Sequence, residues 1–213
     1  MYFKYGDKEI NYLKARDPKL GAVIDQVGFV ERAVDPDLFS SVVHHIVGQQ
    51  ISTKAQETIW GRMAEGLGKV CAETVLAAGE ARLQAFGISF RKAGYILDFA
   101  RRVAEGTFDL KAVWTMDDQA AIAELVKLKG IGVWTAEMIL LFCMERPDIL
   151  SFDDLAIQRG LRMVYHHRKI DRRLFEKYRR RFSPCGSVAS LYLWAAAGGA
   201  VAGLKDWAPQ KKK

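Results

Sequence analysis

The sequence predicts an all-α protein. Apolar residues recur with the 3.6-residue period of helices along most of the 213 residues, whereas few segments alternate as half-buried strands do. The predicted helices span residues 9–15, 18–27, 36–48, 52–66, 72–78, 80–85, 90–105, 109–113, 117–127, 133–144, 154–164, 171–181 and 186–199.

The ends of these helices are predicted from residues that favour starts and stops. Side chains with an oxygen near the backbone can accept hydrogen bonds from the first free N–H groups of a helix. The predicted N-caps are Asp35, Ser52, Asp117 and Ser183. The predicted stops are Gly28, Gly66, Gly87, Gly106 and Gly130.

The composition indicates a folded globular protein. Half of the residues are hydrophobic and five are proline, so the chain can bury a core in one domain or in two joined lobes. No run approaches the roughly 18 apolar residues that span a bilayer, and the N-terminus lacks a secretory segment. We therefore expect an intracellular protein, in the cytoplasm and nucleoid or in a nucleus, with no membrane partner.

Cysteine and histidine do not predict a metal site. The three cysteines, Cys71, Cys143 and Cys185, are an odd number with no Cys-x-x-Cys spacing, and are predicted to be buried thiols. The histidines form two adjacent pairs at 44–45 and 166–167, and neighbouring side chains on a helix point in different directions. No zinc or iron–sulfur site is expected.

The charge balance indicates an acidic polymer as partner. Lys and Arg total 32 against 25 Asp and Glu, a net charge of +7. The basic residues concentrate in three places, of which each could also be a solvated helical face. They are Arg168, Lys169, Arg172, Arg173, Lys177, Arg179, Arg180 and Arg181, then Arg101 and Arg102, then Lys211 to Lys213. The last group belongs to a basic tail at 208–213 that we expect to be flexible.

Residues 125–136 contain a Gly-x-Gly turn between two apolar helical stretches. Glycine accommodates positive φ and close approach of other atoms, and the helical pattern from Val133 would point its first free N–H groups back toward the turn. Such a helix start favours phosphate oxygens, although an ordinary tight turn has the same sequence. Two adjacent carboxylates, Asp153 and Asp154, follow.

Five segments in order resemble a known family. They are residues 47–52, 87–95, 128–136, 152–159 and 191–194. Together they are similar to the helix-hairpin-helix DNA glycosylases with a Gly/Pro-rich loop and a catalytic aspartate, the HhH-GPD superfamily, and in particular to its 3-methyladenine DNA glycosylase II branch.

The resemblance implies a two-lobed all-α fold with DNA crossing between the lobes. Residues 1–213 would form a single glycosylase unit, with one lobe from about 1–38 plus 150–207 and the other from about 39–149. Longer relatives carry an extra N-terminal β-rich domain, and this chain is expected to be a form without it.

The resemblance also implies the reaction. The expected activity is that of a monofunctional DNA glycosylase, which flips an alkylated purine such as 3-methyladenine or 7-methylguanine out of duplex DNA and hydrolytically excises it, leaving an abasic site. Asp154 aligns with the catalytic carboxylate, whose charge would stabilise the oxocarbenium-like transition state. Asp153 is the alternative, but it is read as a helix cap.

Position 134 distinguishes branches of the family. Bifunctional relatives carry a nucleophilic lysine four positions after Gly130, whereas this chain has Trp134, so no lyase activity is expected. Trp134 and Trp194 are the expected walls of the base pocket, where an indole face would attract a cationic purine. Met138 also belongs to this expected pocket, although relatives have an aromatic residue there.

Further residues are expected to contact DNA. The hairpin would contribute Lys129, Gly130, Ile131, Gly132 and Thr135. Phe90 is the expected wedge that fills the space left by the flipped nucleotide, with Ile88 as the alternative, although Phe90 could equally begin a core face.

Residues beside these would meet the groove and the backbone. Gln49 and Gln50 would contact the groove or else bridge helices, and Arg91 and Lys92 would meet flanking phosphates.

No cofactor is required by this interpretation. By resemblance alone, a monovalent cation (Na⁺ or K⁺) would sit on the backbone carbonyls of Val126, Leu128 and Ile131. The expected partner is double-stranded DNA containing damaged bases, bound by a monomer. The alternatives are a glycosylase for uracil, hypoxanthine or ethenoadenine, and a non-catalytic hairpin module that binds DNA.

Overall fold

The computed structural model describes residues 1–209, and in this range the chain forms twelve α-helices. They are α1 (Asp7–Arg16), α2 (Pro18–Val27), α3 (Leu38–Gly48), α4 (Thr53–Leu67), α5 (Ala72–Ala85), α6 (Phe90–Ala104), α7 (Leu110–Thr115), α8 (Asp118–Leu125), α9 (Val133–Phe142), α10 (Leu155–Tyr165), α11 (Arg172–Phe182) and α12 (Gly186–Ala197). The only β contact within residues 1–209 is an isolated bridge between Tyr2 and Ala33. The all-α prediction is confirmed. The predicted basic group at 211–213 lies outside the described residues.

Two of the four predicted N-caps are confirmed. The Ser52 hydroxyl accepts a hydrogen bond from the backbone N–H of Ala55 at the start of α4, and the Asp117 carboxylate accepts one from Ala120 at the start of α8. In each case the side chain satisfies a backbone donor that the helix itself leaves free.

The other two predicted caps are wrong. Helix α3 is capped by Asp37, and the carboxylate of Asp35 instead accepts the backbone N–H of Asp37. Ser183 follows the end of α11, and its hydroxyl donates to Asp148 at 2.6 Å. In both places a proline follows the candidate residue, and the next helix begins two or more residues further along the chain, at Leu38 and at Gly186.

Glycines end or interrupt several helices. Gly28 follows α2 with φ of 73°, as predicted. Gly79, with φ of 66°, separates two helical pieces within α5 at the break predicted between 78 and 80. Gly66 was predicted to end α4, but it lies inside that helix, which ends at Leu67 and is followed by Gly68.

The chain divides into two compact units. Unit 1 comprises Met1–Val34 and Glu145–Lys213, of which the structure describes residues up to 209, and it contains α1, α2, α10, α11 and α12. Unit 2 comprises Asp35–Met144 and contains α3 to α9.

Unit 1 has a core built on α10 and α12. Helix α12 is buried along nearly its whole length, with Tyr192 fully enclosed. Beside this core, buried Asp17 caps α2 with one carboxylate oxygen and accepts from the Arg181 guanidinium at 2.6 Å with the other. Arg181 lies over the Tyr178 ring, so this polar cluster joins α2 to α11.

Unit 2 has a separate core in which the Phe39 and Phe99 rings stack with centroids 4.8 Å apart. Helix α9 begins with exposed residues at 133 and 134 and is then mostly buried from Thr135 to Leu141. No helix within residues 1–209 is long and apolar enough to cross a membrane.

Candidate active site

Asp154 is the residue that precedes α10, and its carboxylate is held by three N–H donors. Oδ1 accepts hydrogen bonds from the backbone of Ala156 at 2.9 Å and of Ile157 at 2.8 Å. It also accepts one from the indole Nε1 of Trp194 at 3.2 Å. The residue is 6% exposed, so its carboxylate is held in one place at the edge of the unit 1 core.

The capping role therefore falls on Asp154. Asp153 was expected to be the cap, and that expectation is wrong, because the side chain of Asp153 is exposed and the cap hydrogen bonds end on Asp154. Capping and chemistry need not be separate, since a cap uses a carboxylate oxygen while leaving the negative charge in place. The sequence alone could not assign the cap to one of two adjacent aspartates.

The close packing of α10 on α12 brings Trp194 to Asp154. A Cβ atom added at Gly160 would lie 2.4 Å from the carbonyl oxygen of Leu193, a distance that no real side chain tolerates. Glycine at 160 therefore permits the two helices to approach, and the residue after Leu193 is the indole that binds the carboxylate. This packing requirement was not recognised from the sequence.

The segment before Asp154 is fixed by contacts on both sides. The Ser187 hydroxyl accepts the backbone N–H of Ile149, and the Ser190 hydroxyl donates to the Ile149 carbonyl at 2.8 Å. Further along, the Phe152 and Phe175 rings pack in a T-shaped arrangement with centroids 5.2 Å apart. These contacts hold the loop that precedes Asp154 against α12 and α11.

Leu155, directly after Asp154, is a candidate that the sequence analysis missed. It is a large apolar side chain that is 79% exposed at the first position of α10. An exposed leucine beside a held carboxylate offers an apolar surface to whatever approaches that carboxylate. A leucine at the start of a helical pattern gave no signal that it faces outward.

In unit 2, the predicted hairpin lies between α8 and α9. Gly130 has φ of +84°, and a Cβ atom there would lie 2.5 Å from the Tyr95 ring. Both observations require glycine at this position. The hairpin is also tied to α3, since the Gln49 side-chain amide donates to the Gly130 carbonyl at 2.7 Å.

Gly132 is the residue that precedes α9. Its φ of −96° is an ordinary value, so the positive φ considered for this glycine is not observed. No atom lies within 4 Å of an added Cβ, so the space beside Gly132 is open. An open glycine at a helix start, with the exposed Val133 and Trp134 after it, leaves room for an anion near the first N–H groups of α9.

The remaining hairpin side chains do not all face outward. Ile131 and Thr135 are buried, so their side chains are not available to DNA and only their backbone groups could take part. Lys129 is exposed, but its ammonium pairs with Asp98 at 2.8 Å, and this hydrogen bond lowers the pKa of Asp98. Lys129 stays a candidate DNA contact, although Asp98 already shares its charge.

Phe90 and Ile88 differ sharply in exposure. Phe90 is 70% exposed at the first position of α6, whereas Ile88 is 4% exposed. Ile88 is therefore wrong as the alternative wedge, because its side chain belongs to the unit 2 core. Phe90 does not begin a core face, so it stays the candidate wedge.

Lys92 stabilises the end of α3. Its ammonium donates to the carbonyls of Val47 at 2.8 Å and Gln49 at 2.6 Å, and burial lowers its pKa. The expected role of Lys92 at a flanking phosphate is thus contradicted, while Arg91 beside it is exposed. Gln49 bridges to the hairpin, which was one of its two expected roles, and Gln50 is exposed.

The residues expected to line the base pocket differ in exposure. Trp134 is exposed in the first turn of α9, but Met138 on the next turn is 4% exposed. Met138 lies in the buried part of α9, so the structure does not present it as a pocket surface. Trp194 is half-buried in unit 1 and is held by its bond to Asp154.

Comparison with known proteins relates this arrangement to DNA repair. A profile of the HhH-GPD superfamily base excision DNA repair proteins matches residues 43–184. The crystal structure of a DNA-3-methyladenine glycosidase from Bacillus halodurans is 34% identical, covers 93% of this chain and 93% of its own, and superimposes with a TM-score of 0.80.

Two curated proteins are similar over shorter stretches. DNA-3-methyladenine glycosylase 1 of Schizosaccharomyces pombe is 27% identical over 161 residues, which are 73% of this chain and 71% of that protein. YfjP of Bacillus subtilis (strain 168) is 27% identical over 187 residues, and the match covers 82% of this chain but 64% of YfjP. The profile match and the Bacillus halodurans structure each cover most of the chain, and the chain therefore belongs to the HhH-GPD superfamily of base excision DNA repair proteins.

Proposed function

We propose that this protein is a monofunctional DNA glycosylase that flips alkylated purines out of duplex DNA and excises them by hydrolysis. The observation that carries the proposal is the Asp154 carboxylate, held by the α10 backbone and by Trp194. Relatives named as DNA-3-methyladenine glycosylases support the choice of substrate.

The reaction needs a base outside the duplex. Rotating a nucleotide out of the stack costs about a few kcal/mol, and a damaged base that pairs weakly costs least. The exposed Phe90 side chain is suited to fill the space that the base leaves, because an apolar wedge restores part of the lost stacking.

Cleavage of the N-glycosidic bond leaves positive charge on the sugar. The Asp154 carboxylate would stabilise this charge more in the transition state than in the ground state, and its oxygens can orient the attacking water. Water adds its oxygen to the anomeric carbon, the bond to the base breaks, and the products are a free purine and an abasic site. One proton from the water is released, and a base that was cationic leaves as a neutral molecule.

Selectivity for alkylated purines has two proposed sources. Alkylation at a ring nitrogen makes a purine cationic, which weakens its glycosidic bond. A cation over an indole face gains roughly 0.5–2 kcal/mol, and Trp194 and Trp134 are the proposed indoles in their respective units. A neutral base lacks both advantages.

The protein is proposed to lack lyase activity because position 134 holds tryptophan. Strand cleavage by the related bifunctional reaction needs an amine that attacks the sugar and forms a Schiff base, and an indole cannot do so. Lys129 is no substitute in this proposal, because its ammonium is paired with Asp98.

A cation at the hairpin stays part of the proposal. The carbonyls of Val126, Leu128 and Ile131 are oxygen donors of the kind that hard cations prefer. The Leu128 carbonyl accepts one hydrogen bond, from Ile131, and has a second lone pair for an ion. Such an ion would hold the turn and take no part in the chemistry.

A substrate panel tests the proposal. Duplexes carrying 3-methyladenine, 7-methylguanine, uracil, hypoxanthine or ethenoadenine are incubated with the protein, and released bases are separated by chromatography. We expect release of the two methylpurines, with no strand cleavage and no adduct trapped by borohydride. Release of only another base would contradict the assignment of alkylated purines as the substrate. A trapped adduct would refute the monofunctional reaction. No release from any duplex would refute the proposal that the protein is a glycosylase.

A further inference from the structure

Helix α11 carries a dense positive charge on one face. Six of its eleven residues are Arg or Lys and one, Glu176, is acidic. Phe175, Tyr178 and Phe182 are buried and form the opposite face. Arg181 turns toward Asp17, so the other five basic side chains lie on the exposed side.

Three of these basic residues line one recess. Arg173, Lys177 and Arg180 follow one another at the spacing of a helical face and border a surface recess of about 410 Å³, together with Asp171 and Leu174. Within residues 1–209 none of the three has an ion-pair partner, whereas Arg172 approaches Glu176 at 3.9 Å. The Asp171 carboxylate in the recess accepts the backbone N–H of Leu174 as the helix cap.

This arrangement is unfavourable for the helix alone. Like charges three and four positions apart repel each other, and Arg172 and Arg173 stand in the first turn, where the helix dipole disfavours cations. A bound polyanion would remove both penalties. The dipole favours Arg180 in the last turn, but helix stability gives no reason for Arg173 and Lys177 next to each other on one face, whereas an anionic ligand does.

Helix α11 begins beside the loop of Asp154. The Arg172 guanidinium lies 4.6 Å from the centroid of the Phe152 ring, two residues before Asp154. Phe152 in turn packs on Phe175 of α11. From Arg173 to Arg180 the helix rises ~10 Å, which is about three times the ~3.4 Å spacing of the phosphates of one DNA strand along the axis.

We propose that Arg173, Lys177 and Arg180 bind the backbone phosphates of a DNA strand next to the damaged nucleotide. This inference rests on the proposed function, since it takes DNA as the polyanion and Asp154 as the point of reaction. The contact is electrostatic and carries no sequence preference, because phosphates are alike in every sequence. It adds a backbone contact in unit 1 that is distinct from the hairpin of unit 2.

The test is the salt dependence of binding to an undamaged duplex. The triple variant Arg173→Gln, Lys177→Gln, Arg180→Gln keeps good helix-forming residues at exposed positions. The logarithm of the binding constant falls with the logarithm of salt concentration with a slope of about −0.9 per phosphate contacted. We expect the slope of the variant to be less steep than that of wild type by about 2 to 3.

A matched variant removes the same net charge elsewhere. Lys4, Lys8 and Lys69 are exposed and lie outside α11, and their joint replacement by Gln should leave the slope unchanged. The charge-preserving pair Arg173→Lys with Arg180→Lys should keep the wild-type slope as well. Circular dichroism melting confirms that each variant folds. An unchanged slope in the α11 variant, or an equal change in both triple variants, would overturn the proposal.

The outcome is separable from that of the proposed function. Binding of undamaged DNA requires no base release, so a reduced slope in the α11 variant supports the surface even if wild type releases no base. Conversely, base release by wild type with an unchanged slope in the variant would overturn the proposed phosphate contacts of α11 and leave the proposed glycosylase activity intact.

Discussion

The indole Nε1 of Trp194 donates a hydrogen bond of 3.2 Å to Oδ1 of Asp154, forty residues earlier in the chain. The same oxygen accepts the first backbone N–H groups of α10. The carboxylate is thus held by two helices at once, one through its backbone and one through a side chain. In the proposed reaction this double restraint would let Asp154 face a developing positive charge without reorganising.

Trp194→Phe should slow base release without removing the aromatic face. A hydrogen bond to a charged group contributes ~1.5–3 kcal/mol, so the single-turnover rate should fall by roughly one to two orders of magnitude. Trp207→Phe is the control, because Trp207 is an exposed indole of unit 1 whose ring lies tilted against that of His166, with centroids 5.0 Å apart. Equal rates for the two variants would show that the indole N–H does not position the carboxylate.

Gly160→Ala should destabilise the protein. Its new Cβ would meet the Leu193 backbone at 2.4 Å, and forcing two packed helices apart costs about 1–3 kcal/mol. Gly61→Ala provides the comparison, since Gly61 lies in α4 with nothing within 4 Å, and alanine there should stabilise by up to ~1 kcal/mol. Urea unfolding measures both. A Gly160→Ala variant as stable as wild type would contradict the close packing of α10 on α12.

Phe90→Ala and Ile88→Ala should separate function from stability. Phe90 is exposed, so its removal should change the free energy of unfolding by less than about 0.5 kcal/mol while reducing base release from duplex DNA. Ile88 is buried, so its removal should cost about 2–5 kcal/mol of stability. Base release by Phe90→Ala at the wild-type rate would remove Phe90 from the wedge role.

Stability should depend on pH through His45. The pKa of His45 is lowered from 6.5 to about 4, chiefly by burial and in part by the nearby His44, while the Ser41 carbonyl and Asp35 oppose the shift. At pH values between about 4 and 6.5, the unfolded chain binds a proton at His45 that the folded protein does not bind. The free energy of unfolding should therefore fall as pH drops from 6.5 to about 4, by up to roughly 3 kcal/mol for this group.

His45→Asn isolates that contribution. The asparagine amide can still donate to the Ser41 carbonyl, which His45 Nδ1 contacts at 2.8 Å, but it does not titrate. Urea unfolding of both proteins between pH 4 and 7 should show a shallower pH dependence for the variant. The same dependence in both would mean that His45 is not the group responsible.

The helices were predictable because their apolar faces repeat along the chain. The predicted span at 90–105 became α6 (Phe90–Ala104), and that at 171–181 became α11 (Arg172–Phe182). Helix starts were less predictable where acids stand close together. Asp35 and Asp37, and Asp153 and Asp154, are equally good caps by residue type, and only the folded backbone selects one of each pair.

The exposure of individual side chains was the other feature that could not be predicted from the sequence. Ile88 and Phe90 are both apolar residues in one loop, and whether each points inward depends on helices distant in sequence. Lys92 has the charge of a phosphate ligand but is drawn to the free carbonyls at the end of α3. The need for glycine at 160 arises from the Leu193 carbonyl thirty-three residues later, a contact that no local pattern encodes.

The most direct test of the account compares Asp154→Asn with Asp153→Asn in single-turnover release of methylpurines from methylated duplex DNA, with DNA binding measured alongside. The two changes remove the same charge from adjacent residues, of which one is held by Trp194 and the other is exposed. We predict that Asp154→Asn loses release while still binding DNA, and that Asp153→Asn keeps both. Release by Asp154→Asn at the wild-type rate, or loss of release in Asp153→Asn alone, would contradict the assignment of the reaction to Asp154.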